Sequence, residues 1–259
     1  MNKITELFKR KKNNILSIYF TAGFPQLEDT TKLLDSLTAS GVDMIEIGIP
    51  FSDPLADGPV IQHSSEVALK NGMNLKLLFQ QLQKSQLPSP KSQVPLVLMG
   101  YLNPVLQFGV ANFCKRASEV GISGVIIPDL PMDEYLKEYR SNFDKYDLKN
   151  ISLITPQTPE KRIRYIDEHS DAFIYMVSSA STTGVQEGVN SDKEKYFSRI
   201  KSMNLKNPLM IGFGIGDKKS FNKACEYASG AIMGSAFIKA LEGSGNIAQK
   251  AEVFLKGMR

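Results

Sequence analysis

Two carboxylates, Glu46 and Asp57, are the residues whose types and spacing most directly suggest catalysis. Glu46 interrupts the apolar run Met44–Ile49, which predicts a buried β-strand, so its side chain should face inward near the C-terminal end of that strand. Burial raises the pKa of a carboxylic acid, which would let Glu46 donate a proton near neutral pH. The alternative interpretation is a buried glutamate held by a structural hydrogen bond.

Asp57 lies in the loop that follows this strand. Pro50, Pro54 and Pro59 stiffen the loop, and Asp53 and Asp57 taken alone would be expected to cap turns. Because Glu46 directly precedes this loop, however, the two carboxylates can converge on one small cavity, where one could act as an acid and the other as a base.

Glycine-rich loops follow the last three predicted strands. Glycine lets backbone N–H groups approach an anion closely, and Ser235 can open a short helix whose N-terminus faces a phosphate. Each loop alone could be an ordinary turn, but three in succession predict a site for a phosphoryl ligand. The loops contain Thr182–Gly184, Gly212–Gly214 and Gly234–Ser235.

Short β-branched apolar runs alternate with amphipathic segments along the chain, which predicts parallel strands joined by helices. The predicted helices include Ile4–Arg10, Leu27–Ala39, Val110–Val120, a helix opened by Pro159 and ending near His169, and a last helix from Asn246 to about Met258. The eight predicted strands are Ile15–Phe20, Met44–Ile49, Val94–Met99, Gly124–Ile127, Ile151–Ile154, Phe173–Val177, Leu209–Gly212 and Ala231–Met233.

Eight such units fit either an open doubly wound sheet or a closed barrel. No dinucleotide-binding fingerprint follows the first strand, no linker divides the chain, and the glycine loops follow the late strands, where barrels bind phosphate. We therefore predict a single (β/α)8 TIM barrel over residues 1–259, with the first helix covering its N-terminal end.

Composition excludes several classes of protein. The net charge is +4 and the one basic cluster, Lys9–Lys12, lacks interleaved aromatic residues, so a nucleic-acid arm is not expected. There is no signal peptide, membrane span or metal-ligand spacing, and Cys114 and Cys225 lie in no redox motif. These features predict a cytoplasmic protein without a metal site.

The segment EIGIPFSDPLADGP at residues 46–59 resembles the signature of tryptophan synthase alpha chains. The resemblance extends over nearly the whole chain, through YLNP at 101–104, PDLP at 128–131, GFGI at 212–215 and GSA at 234–236. It implies retro-aldol cleavage of indole-3-glycerol phosphate to indole and glyceraldehyde 3-phosphate.

The resemblance also implies residue roles. Glu46 and Asp57 match the catalytic pair, and Tyr175, whose strand parity points it inward as either core packing or a pocket hydroxyl, matches a tyrosine that assists them. Thr183 matches a lid threonine. The matched phosphate-binding residues are Gly184, Phe213, Gly214, Gly234 and Ser235, and the matched indole pocket is Tyr19, Met99 and Ile126.

The lid, residues 178–191, departs from the family pattern because Ser179 and Thr182 replace an arginine and a valine. Lid closure and communication with a partner are therefore not carried over from the resemblance. By resemblance the partner is a beta chain in an alpha2-beta2 tetramer, which alone carries pyridoxal phosphate. The expected contacts are Asp53, Asn103, Pro104 and Asp129.

Two alternatives remain open. Other phosphate-binding barrel enzymes would need a lysine in a strand, which we do not predict, or aspartates at the ends of strands one and five, where the chain has Thr21 and Thr155. A catalytically silent subunit that only activates a partner is the second alternative, and intact Glu46 and Asp57 argue against it.

Overall fold

The computed structural model describes residues 1–85, 93–178 and 190–258, without the side chains of 190 and 191. Its strands are all parallel and form one sheet in the order β5-β4-β3-β2-β1-β9-β8-β7-β6. They are Ile15–Thr21 (β1), Met44–Gly48 (β2), Leu96–Met99 (β3), Ile122–Ile126 (β4), Lys149–Ile151 (β5), Leu153–Ile154 (β6), Ile174–Val177 (β7), Leu209–Gly212 (β8) and Gly230–Met233 (β9).

The strands at the two ends of this order, β5 and β6, are consecutive in the chain and separated only by Ser152. One half of the fifth predicted strand pairs with β4 and the other with β7, and the amide of Tyr175 donates to the carbonyl of Ser152 at 2.9 Å. The chain itself therefore closes the ring. The predicted barrel is confirmed, with its fifth strand divided in two.

Helices surround the barrel wherever the sequence predicted them, with ends shifted by one or two residues. Pro159 lies at the cap rather than inside its helix, and Asn246 accepts bonds from the amides of Ala248 and Gln249. The helices are Lys3–Arg10 (α1), Asp29–Ala39 (α2), Pro59–Lys70 (α3), Leu75–Lys84 (α4), Leu102–Phe108 (α5), Val110–Glu119 (α6), Met132–Glu134 (α7), Arg140–Lys145 (α8), Glu160–His169 (α9), Asn190–Ser202 (α10), Lys218–Cys225 (α11), Ser235–Leu241 (α12) and Ile247–Lys256 (α13), and a π-helical turn, Tyr135–Tyr139, joins α7 to α8.

Helix α1 closes the N-terminal end of the barrel, as predicted. The side-chain amide of Asn2 donates to the carbonyls of Ser123 and Asp147 at 2.8 and 2.6 Å, which ties the start of the helix to β4 and to the turn that precedes β5. Ile4 is fully buried against Gly124, where a Cβ would come within 2.7 Å of Ile4 Cδ1. The open end of the barrel is therefore the C-terminal end of the strands.

One sequence expectation about the strands is wrong. A lysine does stand in a strand, because Lys149 is the first residue of β5. Its ammonium pairs with Asp171 at 2.6 Å, and its backbone registers with Gly124, where Ile4 of α1 packs. Lys149 is thus at the closed end of the barrel, away from the C-terminal mouth.

Candidate active site

Glu46 occupies the middle of β2, where its backbone registers with Tyr19 on β1 and Val97 on β3. The residue is fully buried. The hydroxyl of Ser17 donates to its Oε1 at 2.8 Å, whereas no described residue hydrogen-bonds its Oε2. Burial raises the pKa of Glu46 to about 8, and the bond from Ser17 opposes part of this shift. At neutral pH the group is therefore a protonated acid.

Asp57 reaches the same cavity from the loop between β2 and α3. Its Oδ2 accepts a hydrogen bond of 3.0 Å from the hydroxyl of Tyr101, which itself accepts from the amide of Ala56 at 2.9 Å. Burial raises the pKa of Asp57 to about 6, and the Tyr101 bond works against this rise. Asp57 is therefore ionised at neutral pH, where Glu46 is not, so the two carboxyls have the different states that acid and base roles require.

Tyr175 and Tyr19 face this pair from β7 and β1. Both are buried, and the negative charges of Glu46 and Asp57 add to desolvation in raising the pKa of each phenol. Each ring lies over a glycine on the next strand, since a Cβ at Gly212 would overlap the Tyr175 hydroxyl and one at Gly48 the Tyr19 hydroxyl. The two tyrosine rings therefore fit only because Gly212 and Gly48 have no side chains.

The predicted indole pocket lies on neighbouring strands of the same wall. Met99 ends β3 and registers with both Gly48 and Ile126, and both side chains are buried. Tyr19 completes the set, two residues beyond Ser17 on β1. The structure thus brings the three residues to the side of the barrel that holds Glu46.

The late glycine loops follow β8 and β9 at the same end of the barrel, and β9 pairs with β1 of this wall. Phe213 and Gly214 both have positive φ, at 66° and 72°, and the Ser178 hydroxyl donates to the Phe213 carbonyl at 2.5 Å. Gly234 comes next to the Tyr19 ring, 3.3 Å from where its Cβ would be, and Ser235 begins α12. Ser179, Thr182, Thr183 and Gly184 lie outside the described residues.

Lys193 on α10 is a functional candidate that the sequence did not single out. A Cβ on Gly214 would lie 3.6 Å from the Lys193 ammonium and 3.7 Å from the Ser178 hydroxyl. The acids beside Lys193 in the chain are engaged elsewhere, Asp192 with Lys195 at 3.1 Å and Glu194 with Lys223 at 3.3 Å. A cation therefore stands over the glycine turn. Nothing in the sequence pattern of α10 distinguished it from the other lysines of that helix.

Ser17 is a second residue that the sequence analysis missed. A usable signal was present, because Ser17 is a polar residue in an apolar strand, two positions from Tyr19 and hence on the same face. The sequence places Tyr101 at the end of strand three, where it could be either core packing or a pocket hydroxyl, and the structure shows its hydroxyl bonded to Asp57, 44 positions away.

The residues predicted to contact a partner lie outside this cavity at the same end of the barrel, Asp53 and Asp129 on loops and Asn103 and Pro104 in the first turn of α5. Asp53 and Asn103 are exposed and Pro104 is half-buried. Asp129 is exposed and accepts a bond from the amide of Leu102 at 2.9 Å, so it also fixes the start of α5. Leu55, in the same loop as Asp53, exposes 86% of its surface.

Among residues 1–85, 93–178 and 190–258, no three His, Cys, Asp or Glu side chains are grouped so as to hold a metal ion. Over the same residues, no helix has the length and apolarity needed to cross a bilayer.

The raised pKa of Glu46 has a consequence for stability. The folded chain holds this proton up to about pH 8, whereas the ordinary pKa of a glutamate side chain is 4.5. The native state therefore binds more protons between these values, and its free energy of unfolding falls as pH rises through that window, by at most about 1.4 kcal/mol per pH unit.

We expect Glu46→Gln, which removes the titrating group, to lose less stability than the wild type between pH 5 and pH 9. Thermal melting of both chains at a series of pH values measures the difference. Parallel losses in the two chains would show that Glu46 titrates normally.

Comparison with known proteins decides the family. The family model for the tryptophan synthase alpha chain matches residues 5–258. The chain belongs to the tryptophan synthase alpha chain family. Among similar sequences, the tryptophan synthase alpha chain of Phocaeicola vulgatus is 55% identical over 100% of both chains, and that of Flavobacterium johnsoniae is 56% identical over 95% of this chain and 96% of its own.

Solved structures agree with this assignment. The crystal structure of the tryptophan synthase alpha chain from Legionella pneumophila superposes with a TM-score of 0.86 at 32% identity, over 100% of this chain and 96% of its own. The predicted family is confirmed, and with it the barrel and the predicted lyase activity, cleavage of indole-3-glycerol phosphate in tryptophan biosynthesis.

Proposed function

We propose that Glu46 is the general acid of this cleavage and Asp57 its electrostatic partner. Glu46 transfers its proton to C3 of the indole ring, and the ring nitrogen becomes positively charged as the ring loses its aromatic double bond. Asp57, ionised, accepts a hydrogen bond from the indole N–H and stabilises that charge. The observation that carries the proposal is the pairing of a buried Glu46 with a raised pKa and an ionised Asp57 in one cavity.

The second half of the reaction returns the proton. The glyceryl hydroxyl next to C3 loses its proton, its oxygen electrons form the aldehyde C=O, and the electrons of the broken C–C bond restore the indole. One proton enters at C3 and one leaves the hydroxyl, so a Glu46 carboxylate that accepts the second is regenerated. Tyr175 closes the cavity over both carboxyls and excludes water from them.

We propose that the substrate phosphate binds the late glycine loops through Phe213, Gly214, Gly234 and Ser235, with Gly184 and the lid residue Thr183 completing the site. The positive φ of Phe213 and Gly214 marks a tight turn directly after β8, and the nearby Lys193 ammonium adds a positive charge that suits a phosphate dianion. Tyr19, Met99 and Ile126 would then hold the indole ring. Phosphate binding at these loops positions C3 of the indole ring against Glu46.

We further propose that residues 1–259 act as one catalytic domain in the cytoplasm, bound to a beta chain in an alpha2-beta2 tetramer. The beta chain, which would carry the only pyridoxal phosphate, would receive the indole. Contact at the barrel mouth would involve Asp53, Asn103, Pro104 and Asp129. The exposed Leu55 supports this surface, because a leucine 86% exposed beside the active-site loop is suited to burial against another protein.

The partner surface can be tested with one variant on it and one control. We expect the chain and its cognate beta chain to form a complex at micromolar concentration and to produce indole faster than this chain alone. Leu55→Asp should weaken the complex about tenfold or more, since it places a charge where an apolar side chain is buried. Lys12→Ala, at the opposite end of the barrel, should leave it unchanged.

Light scattering measures the mass of the complex, and an indole assay measures its effect. If no complex forms and the beta chain leaves indole production unchanged, the chain works alone as an indole-glycerol-phosphate lyase.

A further inference from the structure

Ser17 holds one oxygen of the Glu46 carboxyl. Its hydroxyl donates to Oε1 at 2.8 Å, and both residues are fully buried. In the register of the barrel Ser17 pairs with Met44, one inward position nearer the closed end than Glu46. The bond therefore keeps Oε1 on the side of the barrel floor and fixes the plane of the carboxyl group.

The second carboxyl oxygen, Oε2, has no such restraint. Among the described residues it is the only buried carboxylate oxygen without a hydrogen bond; the other two unpartnered buried oxygens belong to Thr38 and Gln81. Two tyrosine hydroxyls of the cavity have other partners. The Tyr19 hydroxyl lies 3.4 Å from Thr21 Oγ1, and the Tyr101 hydroxyl donates to Asp57.

We propose that Ser17 is a positioning residue that makes Oε2 the proton-carrying oxygen of Glu46 and aligns it for transfer to the substrate; this rests on the proposed role of Glu46. A hydrogen bond donated to Oε1 occupies that oxygen as an acceptor, so the acidic proton of the neutral carboxyl resides on Oε2. When the Oε2–H bond breaks and the C3–H bond forms, negative charge grows on the carboxylate and the Ser17 bond becomes charge-assisted. Ser17 thus stabilises the product side of the transfer more than the starting acid.

Within the described part of the chain, the surroundings of Glu46 supply no other hydrogen bond to its carboxyl group, so the bond from Ser17 matters. The ionisable groups that face it are Tyr19 from β1, Asp57 from the following loop and Tyr175 from β7, and none of them donates a hydrogen bond to it. Val97, its neighbour on β3, is apolar. Ser17 is the side-chain donor that opposes desolvation of Glu46. Its removal should therefore change both the pKa and the orientation of the acid.

The test is Ser17→Ala, compared with Ser36→Ala. Ser36 is also buried and its hydroxyl donates to a carbonyl, that of Ala248 at 3.2 Å, so the control removes a bonded hydroxyl of equal size that does not touch Glu46. For Ser17→Ala we expect kcat to fall about tenfold, KM to change less than about twofold, and the alkaline limb of the kcat profile to move upward by roughly half to one pH unit, because a bond to the ionised form is lost. Ser36→Ala should show none of these changes.

A second readout does not require turnover. Carbon-13 titration of the Glu46 carboxyl in the unliganded chain, assigned by its disappearance in Glu46→Gln, should show the same upward shift in Ser17→Ala. Ser17→Thr, which keeps the hydroxyl, should restore the wild-type titration. Ser17→Cys fills the same space with a weaker donor and should give a smaller shift of the same sign, so the prediction holds even where the alanine variant does not fold.

A titration that is unchanged in both Ser17→Ala and Ser17→Cys overturns the proposal. A shifted titration with an unshifted rate profile overturns it as well, because Ser17 would then hold a carboxyl that does not carry the reacting proton. The chain could also show the shifted titration but release no indole from indole-3-glycerol phosphate. That result would support the hydrogen bond from Ser17 to Glu46 and would refute the proposed catalytic role of Glu46.

Discussion

We expect Glu46→Gln to lower kcat for indole release by at least about 10²-fold, the contribution typical of a general acid. The amide keeps the shape of the side chain and can still accept the Ser17 bond at 2.8 Å, but it has no acidic proton to give to C3. Because the substrate is held mainly through its phosphate and indole ring, KM should change little. Steady-state indole release with and without the beta chain measures both constants.

Glu66→Gln is the matched control for this variant. Glu66 lies on α3, where its exposed carboxylate pairs with Lys70 at 2.6 Å, and surface pairs of this kind contribute little. Its loss should leave kcat within about twofold. If Glu46→Gln also retains activity within a few-fold of the wild type, Glu46 is a structural glutamate and the acid must be sought elsewhere.

We expect Gly234→Asp to weaken the binding of glycerol 3-phosphate by at least about tenfold. The new carboxylate would stand at the proposed phosphate site and repel a dianion, and its Cβ would also press on the Tyr19 ring, 3.3 Å away. Isothermal titration calorimetry of the purified chain measures the affinity, and a loss of at least about tenfold corresponds to roughly 1.4 kcal/mol.

Gly234→Ala separates the charge from the crowding. It introduces the same contact with Tyr19 without the negative charge, so it should weaken binding much less than the aspartate. Equal affinities for wild type and Gly234→Asp would place the phosphate away from this loop. Equal losses in both variants would attribute the effect to Tyr19 rather than to the phosphate.

The barrel could be predicted because its strands are continuous apolar runs that are buried on both faces. The ends of some strands differ from the predicted ones for reasons of local chemistry. The third strand was expected from Val94 but begins at Leu96, since Pro95 has no N–H, although its carbonyl still accepts from Ile45 at 3.1 Å. The division of the fifth strand at Ser152 depends on pairing with two different neighbours, which no single segment reveals.

The site was predictable to the extent that it rests on strand alternation. The inward direction of Glu46 and Tyr175 follows from the parity of their strands. The bonds that set their chemistry do not, because Tyr101 reaches Asp57 across 44 positions and Ser17 reaches Glu46 across 29. The position of Lys193 beside Gly214 was the hardest to predict, because it depends on how α10 packs against the barrel mouth.

The most direct test of the account is the pH dependence of product formation by the wild-type chain. The chain is incubated with indole-3-glycerol phosphate from pH 6 to pH 10, and indole and glyceraldehyde 3-phosphate are quantified together. We expect equimolar products at every pH and a kcat that falls as pH rises through about 8, where Glu46 loses its proton. Absence of indole, or a rate that stays constant or increases up to pH 10, would contradict it.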